Sequence, residues 1–288
     1  MKTAIVTDST VFLKDEYLDR DNLFIIPVPI IIDDQMFMEG VDIMADTFYE
    51  QLNNAKEFPK TSQPSVGEVI ELYEDIASKG YDSIISIHLS SGISGFVRTL
   101  QGLSKELASI DVYAFDSLLT TGPMGKLVEV ALDLSQEACQ PEKIVEKLTL
   151  LRNYLEGFIV VDDLNHLVRG GRLRNGAAII GTLLKIKPIL KFEEGNIVLS
   201  EKVRSQKKAL SRLEDIVLNE ISLTPEQSTF YVIHCNNLEV AERVQNELLT
   251  IDSTLDVTIC EFGPVIGAHL GEKAVAIGVA PKSIEALS

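Results

Sequence analysis

The sequence predicts an α/β fold made of two α/β domains, the first of which has a parallel sheet flanked by helices. Short β-rich runs bounded by turn residues alternate with longer segments whose apolar residues recur at helical spacing. A strand, a helix and another strand in succession are typical of a parallel sheet covered by helices. The chain has 288 residues, a length that suits one large domain or two smaller ones.

The first half of the chain supplies the strands of the predicted parallel sheet. The stretch from Leu118 to Leu155 predicts two helices, separated at Gln140-Pro141 because proline is favoured at the first position of a helix. We expect the first domain to span residues 1–156. Its predicted strands are "TAIVTD" (residues 3–8), "FIIPVPIII" (24–32), "SIISIH" (83–88) and "VYAFD" (112–116).

A second set of strands and helices follows, and we place the domain boundary near Gly157. The second domain is therefore predicted to span residues 157–288. Its predicted strands are "GFIVVDD" (157–163), "STFYVIHC" (228–235), "LDVTICEFG" (255–263) and "KAVAIGVA" (273–280).

Composition excludes several classes of function. Lys and Arg number 26 against 43 Asp and Glu, and the resulting net charge of −17 would repel a nucleic-acid backbone. The longest apolar run, "LFIIPVPIII", carries two prolines and is well below the roughly 20 residues of a membrane helix. The N-terminus lacks a signal core, so a cytoplasmic location is expected. The three cysteines are widely spaced, so neither a disulfide framework nor a metal site is expected: Cys139, Cys235 and Cys260.

Two polar turns precede predicted helices, "TSQPSVGE" (61–68) and "LSSGISGF" (89–96). The structural interpretation is that each turn caps its helix. A serine oxygen can accept hydrogen bonds from the free N–H groups at a helix start, and glycine leaves the backbone there open. The functional interpretation starts from the sheet, where turns after successive parallel strands converge at the carboxyl edge. Helix N-termini also favour negative charge. Hydroxyls from both turns therefore suit a carboxylate or phosphate ligand.

The first turn contains residues that a helix cap does not explain. Ser65 and Glu68 fit a capping box, which would account for Ser65 without a ligand. Thr61 and Ser62 lie outside that box and are candidates for ligand contact.

Basic residues cluster locally in this acidic chain. The stretch "EKVRSQKKAL" (201–210) carries Arg204 and several lysines just before a predicted helix. The structural interpretation is a solvated helix face with ion pairs, and the functional one is an anion site. Another cluster surrounds a double glycine within residues 166–190: Arg169, Arg172 and Arg174.

Common enzyme signatures are missing from the sequence, which contains no GxGxxG, GxxxxGK[ST], HExxH or GxSxG pattern. Ser94 lies in "GISGF", which lacks the second spaced glycine of a nucleophile elbow. His269 lies among glycines, and a lone histidine is more often a structural group than a ligand or a base. Two hypotheses stay open: a carrier without chemistry, and an enzyme in which Arg172, Arg204 and His269 act on a small phosphorylated or carboxylated metabolite.

Seven motifs in sequence order resemble those of the DegV family, the fatty-acid-binding subunits of bacterial fatty acid kinase. The resemblance implies a lipid pocket between the domains that encloses one long-chain fatty acid, with no cofactor and no catalysis by this chain. A separate ATP-dependent kinase would phosphorylate the carboxyl group, and the acyl-phosphate would feed phospholipid synthesis. Transient contact with a membrane surface is compatible with this role. The motifs are "VTDST", "EGVDI", "TSQPS", "SSGISG", "LVRGGRL" running into "LLKIKPIL", "KVRSQKKAL" and "GPVIGAHLG".

The resemblance also implies roles for particular residues. Arg172 and Arg204 would lie at the pocket mouth and contact the phosphoryl group. Three positions depart from the usual family pattern, and two of them, Phe96 and Ala268, remove hydroxyls; the third is Gln206, where a basic residue is common. The residues that would surround the fatty-acid carboxyl are Thr61, Ser62, Ser91, Gly92, Ser94 and His269.

Overall fold

The computed structural model of the chain describes residues 2–104, 109–176, 178 and 186–287. Its strands are β1 (Thr3–Asp8), β2 (Leu23–Ile26), β3 (Pro29–Ile32), β4 (Gln35–Met38), β5 (Lys60–Thr61), β6 (Ser83–His88), β7 (Asp111–Asp116), β8 (Glu156–Val160), β9 (Lys187–Glu193), β10 (Asn196–Val203), β11 (Ser228–His234), β12 (Asp256–Glu261) and β13 (Val275–Pro281). Its α-helices are α1 (Asp15–Leu18), α2 (Ala45–Asn54), α3 (Val66–Ser78), α4 (Phe96–Leu103), α5 (Thr121–Gln136), α6 (Pro141–Arg152), α7 (Asn165–Arg169), α8 (Gln206–Asn219), α9 (Leu238–Ile251) and α10 (Pro264–Leu270).

The predicted parallel sheet is confirmed in the first half of the chain. Its strand order is β2-β1-β6-β7, and every neighbouring pair is parallel. Helices α3 and α4 cover one face, where Tyr73 and Leu100 pack against Val6 and Ile84 in a buried apolar cluster. This arrangement is the expected α/β fold with helices flanking a parallel sheet.

The prediction of one strand over residues 24–32 was wrong. The chain forms β2 in the parallel sheet and then β3 in a separate antiparallel sheet with the order β4-β3-β5. Pro27 and Pro29 have no N–H group to donate to a strand ladder, so the run is interrupted between the two sheets.

The second half forms a mixed six-stranded sheet with the order β10-β9-β8-β13-β11-β12. Only β11 and β12 are parallel to each other, and the other neighbours are antiparallel. The hairpin of β9 and β10 was not predicted. It turns at Glu194 and Gly195, which have φ angles of 48° and 77°, a conformation that glycine adopts without steric cost.

Helix α5 lies between the two sheets and contacts β1 and β6 on one side and β11 and β13 on the other. Helix α6 begins at Pro141, as predicted. One buried apolar cluster extends from Ile5 in the first sheet through Met124 to Ile159 in the second. The boundary predicted near Gly157 falls at the start of β8 and stays a prediction. None of the helices in the described ranges has the length and apolar character needed to cross a membrane.

Candidate functional site

A partly enclosed cavity of about 250 Å³ lies between the parallel sheet and the mixed sheet. Side chains from both halves of the chain form its wall, and most of them are apolar, a lining typical of sites for apolar ligands. The apolar liners are Val28, Leu89, Ile93, Phe96, Ile159, Leu167, Phe192, Ile197, Phe262, Val265, Ile266 and Leu270. The polar side chains that line it are Thr61, Ser62, Gln63, Ser94, Thr120, Arg172 and His269.

The structure joins two of the predicted site residues directly. Thr61 Oγ1 lies 2.8 Å from Nε2 of His269, although the two residues belong to β5 and α10, which are far apart in the sequence. The His269 ring packs so tightly on Gly170 that a Cβ atom there would overlap Nδ1 of the ring. Gly170 is therefore required for the close approach that places His269 beside Thr61.

Burial sets the charge of His269. Its pKa is lowered to about 3, first by burial and then by the nearby charges of Arg172 and His166. The ring is therefore neutral at neutral pH, with one N–H donor and one acceptor nitrogen. Burial also lowers the pKa of His166 and of Arg172.

The serine-rich turn before α4 is fixed to the second half of the chain. Ser90 Oγ donates to the carbonyl of Gly195 at 2.7 Å and accepts from the Gly92 N–H at 3.1 Å. A Cβ atom on Gly92 would overlap the Gly195 carbonyl, so the two backbones touch at this point. Ser94 lines the cavity, and its hydroxyl accepts only a long 3.3 Å bond from the Phe96 N–H. Ser94 is thus the serine of this turn that is available to a ligand.

Three predicted site residues are not among those that line the cavity. Ser91 uses its N–H on Asp116 and its carbonyl on Arg98, and Gly92 lies against the β9–β10 turn. Arg204 is exposed between β10 and α8 and lines neither this cavity nor the cleft described below. The geometry gives no support to a carboxyl contact by Ser91 or Gly92, and the role of Arg204 stays a prediction.

Arg172 has a structural task as well as a place at the cavity. Its Nε donates to the carbonyl of Ile93 at 3.1 Å, and a terminal nitrogen donates to the carbonyl of Gly170. It therefore ties the serine-rich turn to the segment that supports His269. Arg172 lines the cavity, and its predicted contact with a phosphoryl group stays a prediction.

An open cleft lies on the other side of these residues. Thr61, Arg172 and His269 line both the cavity and the cleft, and we call these three residues the seam. The Arg169 guanidinium lies 4.3 Å from the centre of the Phe58 ring. The cleft is basic, with one carboxylate among its lining side chains; its basic liners are Lys56, Lys60, Arg169 and Arg172, and the carboxylate is that of Glu57.

Part of this cleft was not predicted from the sequence, and one hydrogen bond near it was predicted wrongly. Lys56, Phe58 and Lys60 were not singled out, although two lysines beside "TSQPS" in an acidic chain were a usable signal. The capping box was also wrong: α3 begins after Ser65, but the Ser65 side chain makes no capping hydrogen bond. Phe96, one of the departures from the family pattern, contributes an apolar side chain to the cavity wall.

Known proteins resemble this chain over nearly its whole length. A family model described as "Uncharacterised protein, DegV family" matches residues 2–282. A DegV domain-containing protein of Streptococcus pyogenes serotype M1 is 41% identical over 283 residues, covering 98% of this chain and 100% of the relative.

Solved structures match the fold closely. A fatty acid binding DegV family protein from Streptococcus agalactiae has a TM-score of 0.93 and 41% identity, covering 98% of this chain and 100% of the other. A DegV fatty acid binding protein from Bacillus subtilis has a TM-score of 0.88 and 38% identity, with the same coverage. Both neighbours are described as fatty acid binding proteins.

Proposed function

Because this chain belongs to the DegV family, we propose that it binds a long-chain fatty acid, with the acyl chain in the cavity and the carboxyl group at the seam. One observation carries the proposal: the wall of the cavity is mostly apolar and also carries the hydroxyls of Thr61, Ser62 and Ser94 and the buried neutral ring of His269. The fatty acid binding neighbours at 41% and 38% identity support the same ligand class.

The energetics favour such a ligand. Burial of an acyl chain gains about 0.8 kcal/mol per CH₂, so some fifteen carbons supply on the order of 10 kcal/mol before ordering costs. Desolvation of the carboxyl group costs several kcal/mol unless its oxygens find donors. The hydroxyls of Thr61, Ser62 and Ser94 are donors of this kind and need no counter-charge.

We propose further that the bound carboxyl is phosphorylated by a separate ATP-dependent kinase that approaches through the cleft. The carboxylate oxygen would attack the γ-phosphorus of ATP, the bond to the β-phosphate oxygen would break, and acyl-phosphate and ADP would form. The basic side chains of Lys56, Lys60 and Arg169 support this direction of approach, because the chain as a whole carries a charge of −17. The acyl-phosphate would pass to phospholipid synthesis.

The alternative, an enzyme acting on a small phosphorylated or carboxylated metabolite, fits the seam less well. A histidine with a pKa of about 3 is a weak base at neutral pH, so His269 is poorly matched to proton abstraction. A small polar substrate would also leave the apolar wall without a function. A carrier that performs no catalysis accounts for both features.

The ligand is tested by extracting the purified protein with organic solvent and identifying bound lipid by mass spectrometry. We expect about one long-chain fatty acid per chain, because one acyl chain would occupy the apolar cavity described above. Protein that is free of lipid and takes up no fatty acid in a calorimetric titration would rule out the carrier function.

The headgroup site is tested with Thr61→Val and Ser94→Ala. Each change removes a hydroxyl from a buried carboxylate, which should cost roughly 1–3 kcal/mol of binding free energy. Ser65→Ala is the matched control, because the Ser65 side chain is exposed and makes no capping bond. Affinities within about twofold of wild type for both test variants (roughly 0.4 kcal/mol) would show that the carboxyl lies elsewhere.

The two predicted phosphoryl contacts are compared in a coupled assay with kinase and ATP. Arg204→Ala should retain fatty-acid binding and lose most acyl-phosphate formation, because a guanidinium fork suits phosphate oxygens. Arg172→Ala should also lose acyl-phosphate formation, but it should lose some fatty-acid affinity as well, because Arg172 ties the serine-rich turn to the segment that supports His269. A normal yield from Arg204→Ala would assign that exposed side chain to a solvated basic face.

A further inference from the structure

The buried carboxyl group of Glu39 links three segments that are distant in sequence. Its Oε2 accepts a 2.5 Å hydrogen bond from Ser9 Oγ, just after β1, and its Oε1 accepts a 2.9 Å bond from the Val265 N–H in α10. Only 4% of the Glu39 surface is exposed. A Cβ atom at Gly263 would overlap Oε1, so a glycine is required where the carboxyl meets the chain entering α10.

The helix that Glu39 holds is part of the proposed fatty-acid site. Val265 lines the cavity, and His269, one turn further along α10, forms the seam contact with Thr61. The middle of α10 leaves no free space, because a Cβ atom at Gly267 would crowd the Tyr49 side chain of α2. A displacement at the first turn of this short helix is therefore transmitted to the His269 ring.

The charges around Glu39 favour proton uptake near neutral pH. The pKa of Glu39 is raised to about 7, first by burial and also by the negative charge of Asp8 in β1, while the bonds from Ser9 and Val265 oppose the rise. Tyr49 of α2 also faces this charge, and its own pKa is raised well above its ordinary value, first by burial. No cation acts on Glu39 among the described groups.

We propose that Glu39 is a positioning residue for the seam, whose carboxylate seats α10 and whose protonation weakens retention of the fatty acid. This inference rests on the proposed fatty-acid function. A protonated carboxyl carries an O–H donor and no longer accepts from both Ser9 and Val265 as the carboxylate does. Ser9 Oγ already accepts a 3.0 Å bond from the Val28 N–H, so the hydroxyl must reorient when the proton arrives.

The test is a titration of palmitic acid into wild type and Glu39→Gln at pH 6 and pH 8. The neutral amide imitates the protonated carboxyl. We expect the wild-type affinity to fall at least threefold more than the Glu39→Gln affinity between pH 8 and pH 6, and the two proteins to bind alike at pH 6. Titration of the ligand itself affects both proteins equally and cancels. Glu129→Gln is the matched control, because Glu129 is also buried, its pKa is also raised, first by burial, and it lies on α5.

A second variant and a spectroscopic measurement separate positioning from general stability. Ser9→Ala removes a donor to the carboxylate, so the loss of affinity should begin at a higher pH than in wild type. The ¹³C shift of carboxyl-labelled palmitic acid should move between pH 8 and pH 6 in wild type and stay constant in Glu39→Gln. Parallel pH profiles for wild type and Glu39→Gln would overturn the inference and leave fatty-acid binding intact. Absence of binding by wild type at both pH values would overturn the proposed function and the inference together.

Discussion

The cavity and the cleft share three residues and differ in nearly everything else. The cavity is mostly apolar and partly enclosed, whereas the cleft is more open and carries the basic side chains of Lys56, Lys60 and Arg169. Thr61, which lies in the wall of both, is held to His269 by the hydrogen bond that links β5 to α10. A ligand that fits this geometry has an apolar tail on one side of the seam and a reactive anionic head on the other.

Under the proposed function, this difference separates binding from later chemistry. Apolar burial would supply affinity without a charged partner, and the hydroxyls of Thr61, Ser62 and Ser94 would orient the head. Arg172 lines both regions, whereas Lys56, Lys60 and Arg169 lie on the cleft side, where solvated charges contribute little to binding. Changes in the cavity should therefore alter affinity strongly, and changes in the cleft should alter it weakly.

Shortening the ligand tests the cavity side most severely. Octanoic acid has eight fewer CH₂ groups than palmitic acid and loses about 6 kcal/mol of apolar burial before ordering costs are recovered. We expect its affinity, measured by calorimetry, to be weaker by more than about a hundredfold. Similar affinities for the two acids would mean that the cavity does not hold the chain.

The buried histidine of the seam should make stability depend on pH. Its folded pKa of about 3 lies below the unfolded value of 6.5, so the unfolded chain takes up a proton first as pH falls. The free energy of unfolding should therefore drop between pH 7 and pH 5 by about 2 kcal/mol more in wild type than in His269→Asn. Equal drops in denaturant titrations would show that His269 titrates normally.

A larger residue at Gly170, which does not line the cavity, should weaken fatty-acid binding by displacing the His269 ring. Gly170→Ala adds a Cβ atom that overlaps the His269 ring, so the ring must shift away from Thr61. We expect fatty-acid affinity to fall about tenfold, through loss of one buried hydrogen bond. Gly67→Ala in α3 is the control, because the atom nearest to its added Cβ, the Ser65 Oγ, is at ordinary van der Waals distance. Equal fatty-acid affinities of Gly170→Ala and wild type would show that His269 does not contribute to the headgroup site.

The cleft should give the smallest change. Lys60 is exposed and pairs with the neighbouring Glu57, so Lys60→Ala should change fatty-acid affinity by less than about twofold. The same variant is expected to slow acyl-phosphate formation by the kinase, with a stronger effect at low salt because exposed charges are screened. A large loss of fatty-acid affinity in Lys60→Ala would contradict the claim that the cleft contributes little to binding.

Local patterns in the sequence were enough to find the two polar turns, but not to assign their side chains. Ser94 was singled out because a hydroxyl-rich turn after a parallel strand lies at the carboxyl edge of the sheet. Thr61 was singled out by the same argument, but it lies in β5 of the separate antiparallel sheet and reaches the cavity from there. Ser91 and Gly92 could not be distinguished from Ser94, because their use depends on long-range contacts. The β9–β10 turn packs against Gly92 through Gly195, which lies about one hundred residues further along the chain.

The same reasoning explains which parts of the fold were predictable. The strands β1 and β6 were read correctly because each is a continuous buried apolar run bounded by turn residues. The β9–β10 hairpin was missed because its second strand, Asn196–Val203, mixes charged and apolar residues on a half-exposed edge. Glu39 was quoted only as part of a family motif, since nothing local indicates that its carboxyl meets Val265.

The most direct test of the central claim is a crystal structure of the protein with bound palmitic acid. We predict that the acyl chain fills the cavity and that the carboxyl oxygens lie within hydrogen-bond distance of Thr61 Oγ1 and Ser94 Oγ, facing the cleft. A fatty acid bound in the reverse direction, with its carboxyl away from Thr61 and Ser94, or one bound only in the cleft, would contradict the account.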